Sequence, residues 1–264
     1  MVPNRFDILL NHLQGLKKVA VAFSGGVDST LLLKAAQMAL GNNVLAISIR
    51  TMYIPGWELE EAVNFSRQHG IRHKIFEMPF LHQIRNNPKN RCYWCKSNLF
   101  KYMQSEAQKE GFNTVIDGTN FDDLKDYRPG LQALKELNIQ SPLLELKITK
   151  DEIREFSRNL NLPTANKPAY ACLLTRFPYD EEIHNSDLRR VEKAEKYLRT
   201  LGFQGSRVRV HGTLARVEIP RHDLNSILNA DLFHKVSREL SEIGFTYVTL
   251  DMEGYRTGSH NESL

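Results

Sequence analysis

Over its first two-thirds the chain alternates short apolar runs with longer stretches whose apolar residues recur every three or four positions. Phe6, Leu9, Leu10, Leu13 and Leu16 have helical spacing, and Lys18-Val19-Ala20-Val21-Ala22-Phe23 is a β-branched apolar run that predicts a buried strand. The same pattern predicts helices over 28–40, 57–70, 95–110 and 129–137 and strands over 43–49, 74–78, 114–117 and 141–146. Gly70 and Gly111 stand where helix C-caps are expected, and Thr149-Lys150-Asp151-Glu152 has the form of a capping box opening a helix to residue 160. Strands alternating with helices imply an α/β fold, a Rossmann-like parallel sheet with helices on both faces. In such sheets ligands sit beyond the C-terminal ends of the strands.

The pattern changes after a loop-like stretch at 161–180 that holds Pro163, Pro168 and Pro178. A charged amphipathic helix over 187–201 precedes two strictly alternating runs, 207–211 and 214–219, joined at His211-Gly212-Thr213 as in an antiparallel hairpin. Two helices and a strand over 245–250 follow. The expected division is therefore a sheet domain over 1–176 and a smaller α+β domain over 177–264.

Composition narrows the class. The 264 residues are 41% hydrophobic and 25% charged, as in an ordinary globular protein. No apolar run is long enough to span a bilayer, and the N-terminal segment has Asp7 and Asn11 inside it, unlike a secretory signal. The expected location is the cytoplasm, with no membrane partner. A formal charge of +4 suits an anionic small molecule and gives no support for a nucleic-acid partner, which would show clustered basic stripes.

Between the first strand and the first long helix lies Ser24-Gly25-Gly26-Val27-Asp28-Ser29. Glycines there let the backbone approach an anion, the helix N-terminus presents N–H groups and partial positive charge, and Ser24 and Ser29 add hydroxyls. No Gly-Lys-Ser/Thr follows, so this is not a Walker A loop. It resembles the phosphate loop of the ATP pyrophosphatases, which implies an ATP site at residues 24–29 that cradles the departing pyrophosphate. Arg50 and Thr51 end the second strand, which in related enzymes borders adenine and ribose. Gly118 and Thr119 follow the fourth strand, where the backbone is expected to pass close to the nucleotide. Asp122, Asp123 and Asp126 offer hard oxygens suited to Mg²⁺, and Arg128 is a fixed cation for a carboxylate or phosphate. A solvated acidic turn would have the same composition.

In order, SGGVDS, DGTNFDDLKDYRPG, KPAYACLLTRFPY and RVRV…LARVEIP resemble the LarE family over nearly the whole chain. These are ATP-dependent sulfur transferases of nickel-pincer nucleotide cofactor biosynthesis. The resemblance implies that a carboxylate of pyridinium-3,5-biscarboxylic acid mononucleotide attacks the α-phosphate of ATP, that pyrophosphate leaves, and that sulfur then replaces AMP. It makes Asp28, Ser29, Arg128 and Cys172 the catalytic candidates, and implies a homo-oligomer. A dianionic nucleotide acceptor calls for cations, and Arg176, Arg207 and Arg209 are the candidates, with Glu218 either orienting an arginine or sitting on the rim. The bland alternative for Arg207 and Arg209 is a solvated strand face.

The chain has three cysteines, too few for a disulfide framework. Cys92 and Cys95 are spaced to share one face at a helix start, where Arg91, Lys96 and the helix N-terminus would lower thiol pKa values. The resemblance implies that Cys172 carries the sulfur chemistry. Members with a single cysteine give up its sulfur and become dehydroalanine, whereas three-cysteine members similar to this chain bind a [4Fe-4S] cluster that leaves one iron open to hydrosulfide. Two other readings stay open: a Zn²⁺ knuckle completed by His73 or His82, and a sacrificed Cys172 beside a structural Cys92/Cys95 pair. Competing functions are an amidating ligase of the NAD or GMP synthetase kind, a tRNA-thiolating enzyme, and a non-catalytic nucleotide-binding module.

Overall fold

The computed structural model describes residues 4–125 and 129–256. They fall into two compact units. The first runs to Leu81 and resumes over Asn90–Lys167; the second takes His82–Lys89 and the chain from Pro168 onward.

In the first unit the elements are α1 (Arg5–Gly15), β1 (Val19–Ala22), α2 (Val27–Leu40), β2 (Val44–Arg50), α3 (Gly56–Gln68), β3 (Arg72–Glu77), α4 (Arg91–Lys109), β4 (Val115–Ile116), α5 (Gly130–Glu136), α6 (Pro142–Glu145) and α7 (Lys150–Asn159). The strands form one parallel sheet in the order β3-β2-β1-β4. Because strand side chains alternate between faces, Val19 and Val21 join one core with Leu9, Leu13, Leu31, Phe65 and Ile153, while Ala20 joins a second with Leu45, Ile47, Phe100, Met103 and Leu134. Both faces are thus covered by helices, as the unbroken apolar runs require.

The strand order places β2 and β3 on one side of β1 and β4 on the other. The connections leaving β1 and β4 therefore diverge, and the crevice at the C-terminal ends of these two strands is a topological switch point. The capping box predicted at Thr149 is present, with the Thr149 side chain accepting from the Glu152 N–H. The strand expected at 141–146 is not. Pro142 has no N–H for a ladder and instead starts the short helix α6, leaving Gln140 in a single bridge to Ile116.

The second unit contains α8 (Asn185–Thr200), β5 (Arg207–His211), β6 (Leu214–Glu218), α9 (Leu224–Ile227), α10 (Ala230–Ile243) and β7 (Tyr247–Leu250). β5 and β6 form the antiparallel hairpin, and β7 adds parallel to β6. The second unit starts at Pro168 rather than at 177, and the bonds of the intervening segment give the reason. Arg207 donates to the Ala169 carbonyl and Arg176 binds Glu195 of α8, so residues 169–176 fold with the hairpin. The excursion at 82–89 is tied in by Asn87, whose amide donates to the carbonyls of Leu174, Phe177 and Pro178. Among the described residues no helix is long and apolar enough to cross a membrane.

Candidate active site

The chain leaves β1 at Phe23, whose N–H still bonds to the Ile47 carbonyl, and turns through Ser24–Gly26 into α2. Gly25 has φ +74, and a Cβ there would lie 3.1 Å from both the Ala62 Cβ and the Glu58 carbonyl oxygen, so the turn needs glycine twice over. Gly26 is the N-cap and provides no side chain for the first turn of α2. The loop is laced by its serines instead. Ser24 and Ser29 hydroxyls are 3.1 Å apart, the Gly26 N–H donates to Ser24 Oγ, and Ser29 Oγ donates to the Gly26 carbonyl. The result is a closed turn at a helix N-terminus, an arrangement that favours anions through backbone donors and the helix dipole.

Across the switch point, Gly118 follows β4 and packs on the first turn of α2. The residue expected to approach a nucleotide thus also approaches protein backbone. Thr119 donates its hydroxyl to Asp117, which also accepts from Ser141 Oγ, so this buried trio fixes the loop after β4. Asn120 reaches the phosphate loop directly, with its amide 3.3 Å from Asp28 Oδ1. Asp28 is further held by Lys150, whose Nζ lies 2.6 Å from each carboxylate oxygen. Burial pushes the Asp28 carboxyl above its ordinary value, the Lys150 charge pulls it back, and the nearby Asp123 adds to the rise. Asp122 Oδ2 accepts the backbone N–H of Lys150 at the start of α7. Asp126 and Arg128 lie outside the described residues. Arg50, at the exposed end of β2, pairs with Glu77. Next to it Thr51 is buried and its hydroxyl has no hydrogen-bond partner among the described residues.

Cys92 and Cys95 stand in the opening turns of α4, and neither is in a disulfide among the described residues. Buried Tyr53 places its hydroxyl 3.5 Å from the Cys95 sulfur. In the second unit Cys172 is likewise outside any disulfide among the described residues, and precedes a 3₁₀ turn at Leu173–Arg176. Among the described residues no three or more His, Cys, Asp or Glu side chains form a metal-binding group.

The strand arginines of the second unit are not a solvated face. Arg176, Arg207, Arg209 and Glu218 are all buried. Arg176 forms a two-pronged pair with Glu195 and also donates to the Ala171 and Cys172 carbonyls. Burial would raise Glu195, but Arg176, Arg207 and the Val208 N–H outweigh it and hold the carboxyl below its ordinary value. Arg209 forms the same kind of pair with Glu218, which also accepts from Arg216. Glu218 therefore orients Arg209. Arg207 is held by the carbonyls of Gly205, Ser206 and Ala169 between the rings of Tyr170 and Tyr255. Burial, and then the charge of Arg176, lower its pKa.

A family model described as "Queuosine biosynthesis protein QueC" matches residues 18–120, the span from β1 to the Asn120 contact. The chain is 42% identical to an uncharacterised protein of Synechocystis, over 100% of this chain and 99% of that one. It is 36% identical, over 97% of this chain and 93% of the relative, to pyridinium-3,5-bisthiocarboxylic acid mononucleotide synthase of Lactiplantibacillus plantarum. The chain belongs to the LarE family. As a LarE-family protein it is an enzyme, a sulfur transferase that uses ATP. Similarity to the glutamine-hydrolyzing GMP synthase of Petrotoga mobilis, at 28% identity, covers 56% of this chain and 33% of that one.

Sequence reasoning missed Lys150 and Lys167. Lys167 Nζ lies 2.8 Å from the Gly25 carbonyl oxygen and 2.7 Å from Glu61. Lys150 carried a signal: it is the first residue of a helix, where a cation opposes the dipole.

Proposed function

We propose that this LarE-family enzyme transfers AMP from ATP to a carboxylate of pyridinium-3,5-biscarboxylic acid mononucleotide, then replaces AMP with sulfur to give the thiocarboxylate. The observation that carries the proposal is the end-to-end similarity to a synthase whose named product is the bisthiocarboxylic mononucleotide. The closed serine-laced turn at the switch point supports the ATP half.

In the first step a carboxylate oxygen attacks the α-phosphorus and the bond to the bridging oxygen of pyrophosphate breaks. Charge builds on the leaving pyrophosphate, and preorganised donors aimed there lower the barrier. The N–H groups opening α2 and the hydroxyls of Ser24 and Ser29 would fill that role, with Gly25, Gly26 and Val27 shaping the cradle. Arg50, Thr51, Gly118 and Thr119 would border the nucleoside, Thr51 with a hydroxyl that has no partner among the described residues. Carboxylate oxygens are the donor type for Mg²⁺, which protein sites commonly hold by one or two carboxylates and the substrate's phosphates; Asp122 and Asp126 would hold it, and it would neutralise pyrophosphate charge. Arg128 would steady the acceptor carboxylate.

In the second step hydrosulfide adds to the acyl carbon and AMP leaves with the former carboxylate oxygen. The acceptor's phosphate and carboxylates would be met by Arg176, Arg207 and Arg209, with Glu195 orienting Arg176, Glu218 orienting Arg209 and backbone carbonyls holding Arg207. Three cysteine thiolates are a donor set that iron–sulfur clusters accept, and Cys92, Cys95 and Cys172, none of them in a disulfide among the described residues, would hold a [4Fe-4S] cluster. Bound there, it would supply an open iron for external hydrosulfide. Pyrophosphate release measured with the biscarboxylated nucleotide, deamido-NAD, XMP and tRNA tests the acceptor. Release is expected with the first alone; release with deamido-NAD, XMP or tRNA alone would replace the proposal with amidation or tRNA thiolation.

A further inference from the structure

The phosphate loop carries a carboxylate, Asp28, at the second position of α2. A carboxylate at the mouth of a polyphosphate site repels its ligand unless it is neutralised. Lys150 is placed to do that, with its ammonium 2.6 Å from both Asp28 oxygens and the two side chains only 32% and 25% exposed. At that burial, solvent screens the pair incompletely.

The needs of helix α7 do not explain Lys150. The helix is already capped by Thr149 and Glu152, and Asp151 and Glu152 already place negative charge in its first turn. A lysine at its first position opposes the helix dipole. Its backbone N–H is spent on Asp122, which orients the residue, and Asn120 links Asp122 to Asp28 by donating to Asp28 and accepting the Asp122 N–H. Local cost combined with a long-range contact marks a residue placed for Asp28.

We infer that Lys150 is a further residue of the nucleotide-phosphate site: it neutralises Asp28 so that a pyrophosphate group can enter the cradle. The inference rests on the ATP reading of the loop given above.

Titration calorimetry of the full chain with inorganic pyrophosphate and magnesium ions, and separately with AMP, tests it. Lys150→Gln leaves Asp28 uncompensated, and should weaken pyrophosphate binding by about tenfold or more, the scale of a charge-assisted contact. AMP, which lacks the pyrophosphate group, should lose less affinity than pyrophosphate does. Lys150→Arg should keep most of the affinity, and the double variant Asp28→Asn/Lys150→Gln should recover much of what Lys150→Gln lost. A thermal melt of each variant checks folding, and the arginine and double variants keep the test decisive if Lys150→Gln folds poorly. Equal pyrophosphate affinity in Lys150→Gln and the parent protein, or a double variant as weak as the single one, would overturn the inference while leaving the loop reading intact. A parent protein that binds neither pyrophosphate nor ATP would overturn the loop reading, and Lys150's role with it.

Discussion

Gly118 lies against the backbone of Ser29 so closely that a Cβ on Gly118 would sit 2.9 Å from the Ser29 nitrogen. The loop after β4 and the phosphate loop are thus packed backbone to backbone, with no side chain between them. Gly118→Ala should push α2 away from this loop, at an overpacking cost of about 1–3 kcal/mol. Urea unfolding should show the lost stability, and pyrophosphate release should fall more steeply than stability alone accounts for. Unchanged release in a destabilised variant would separate this contact from catalysis.

His73 predicts an acid sensitivity beneath the same site. Its Nε2 is 2.8 Å from Ser48 Oγ, which donates to the Phe23 carbonyl just before the loop, so Nε2 carries the proton; Nδ1 is buried without a partner among the described residues. Burial lowers its pKa from 6.5 to about 4. The unfolded chain therefore takes up a proton that the folded chain refuses as pH falls from 6.5 toward 4. Stability is full above this window and declines through it, by at most about 1.4 kcal/mol per pH unit and less for the solvent-screened part. Denaturant midpoints from pH 7 to pH 4 should fall less steeply for His73→Gln than for the parent chain. Parallel slopes would remove His73 from the acid response.

Much of this was legible in the sequence because periodicity reports burial directly. β1 and β2 are sealed on both faces and read as unbroken apolar runs, and the phosphate loop is a contiguous motif whose glycines and serines interact with one another. The strand expected at 141–146 misled because an apolar run of that length suits a strand or a buried turn of helix, and Pro142 settled it. Lys150 and Lys167 were missed since each acts on a residue far along the chain, Asp28 and Gly25, through folding alone. The arginines of β5 alternate with valines as exposed residues would, yet are buried; the carbonyl of Ala169 that holds Arg207, and the Glu218 and Thr175 carbonyl that hold Arg209, are set by tertiary packing.

The thiols supply a prediction about the origin of sulfur. Protein purified without oxygen should contain iron and sulfide, and Cys92→Ala, Cys95→Ala or Cys172→Ala should each lose the visible absorption, since two thiolates hold a cluster poorly. After several turnovers with added sulfide, peptide mass analysis should find Cys172 unmodified. Dehydroalanine at position 172, with product limited to one sulfur per chain, would establish sacrifice of the side chain instead.

In the proposed reaction AMP is transferred to the acceptor's carboxylate before sulfur arrives. Pyridinium-3,5-biscarboxylic acid mononucleotide labelled with ¹⁸O in its carboxylates tests this most directly, with ATP and sulfide present and the products analysed by mass spectrometry. Each sulfur incorporated should be matched by one ¹⁸O in the phosphate of the AMP released, since the acyl carbon–oxygen bond breaks as AMP leaves. Unlabelled AMP, or ADP and orthophosphate in place of AMP and pyrophosphate, would contradict it.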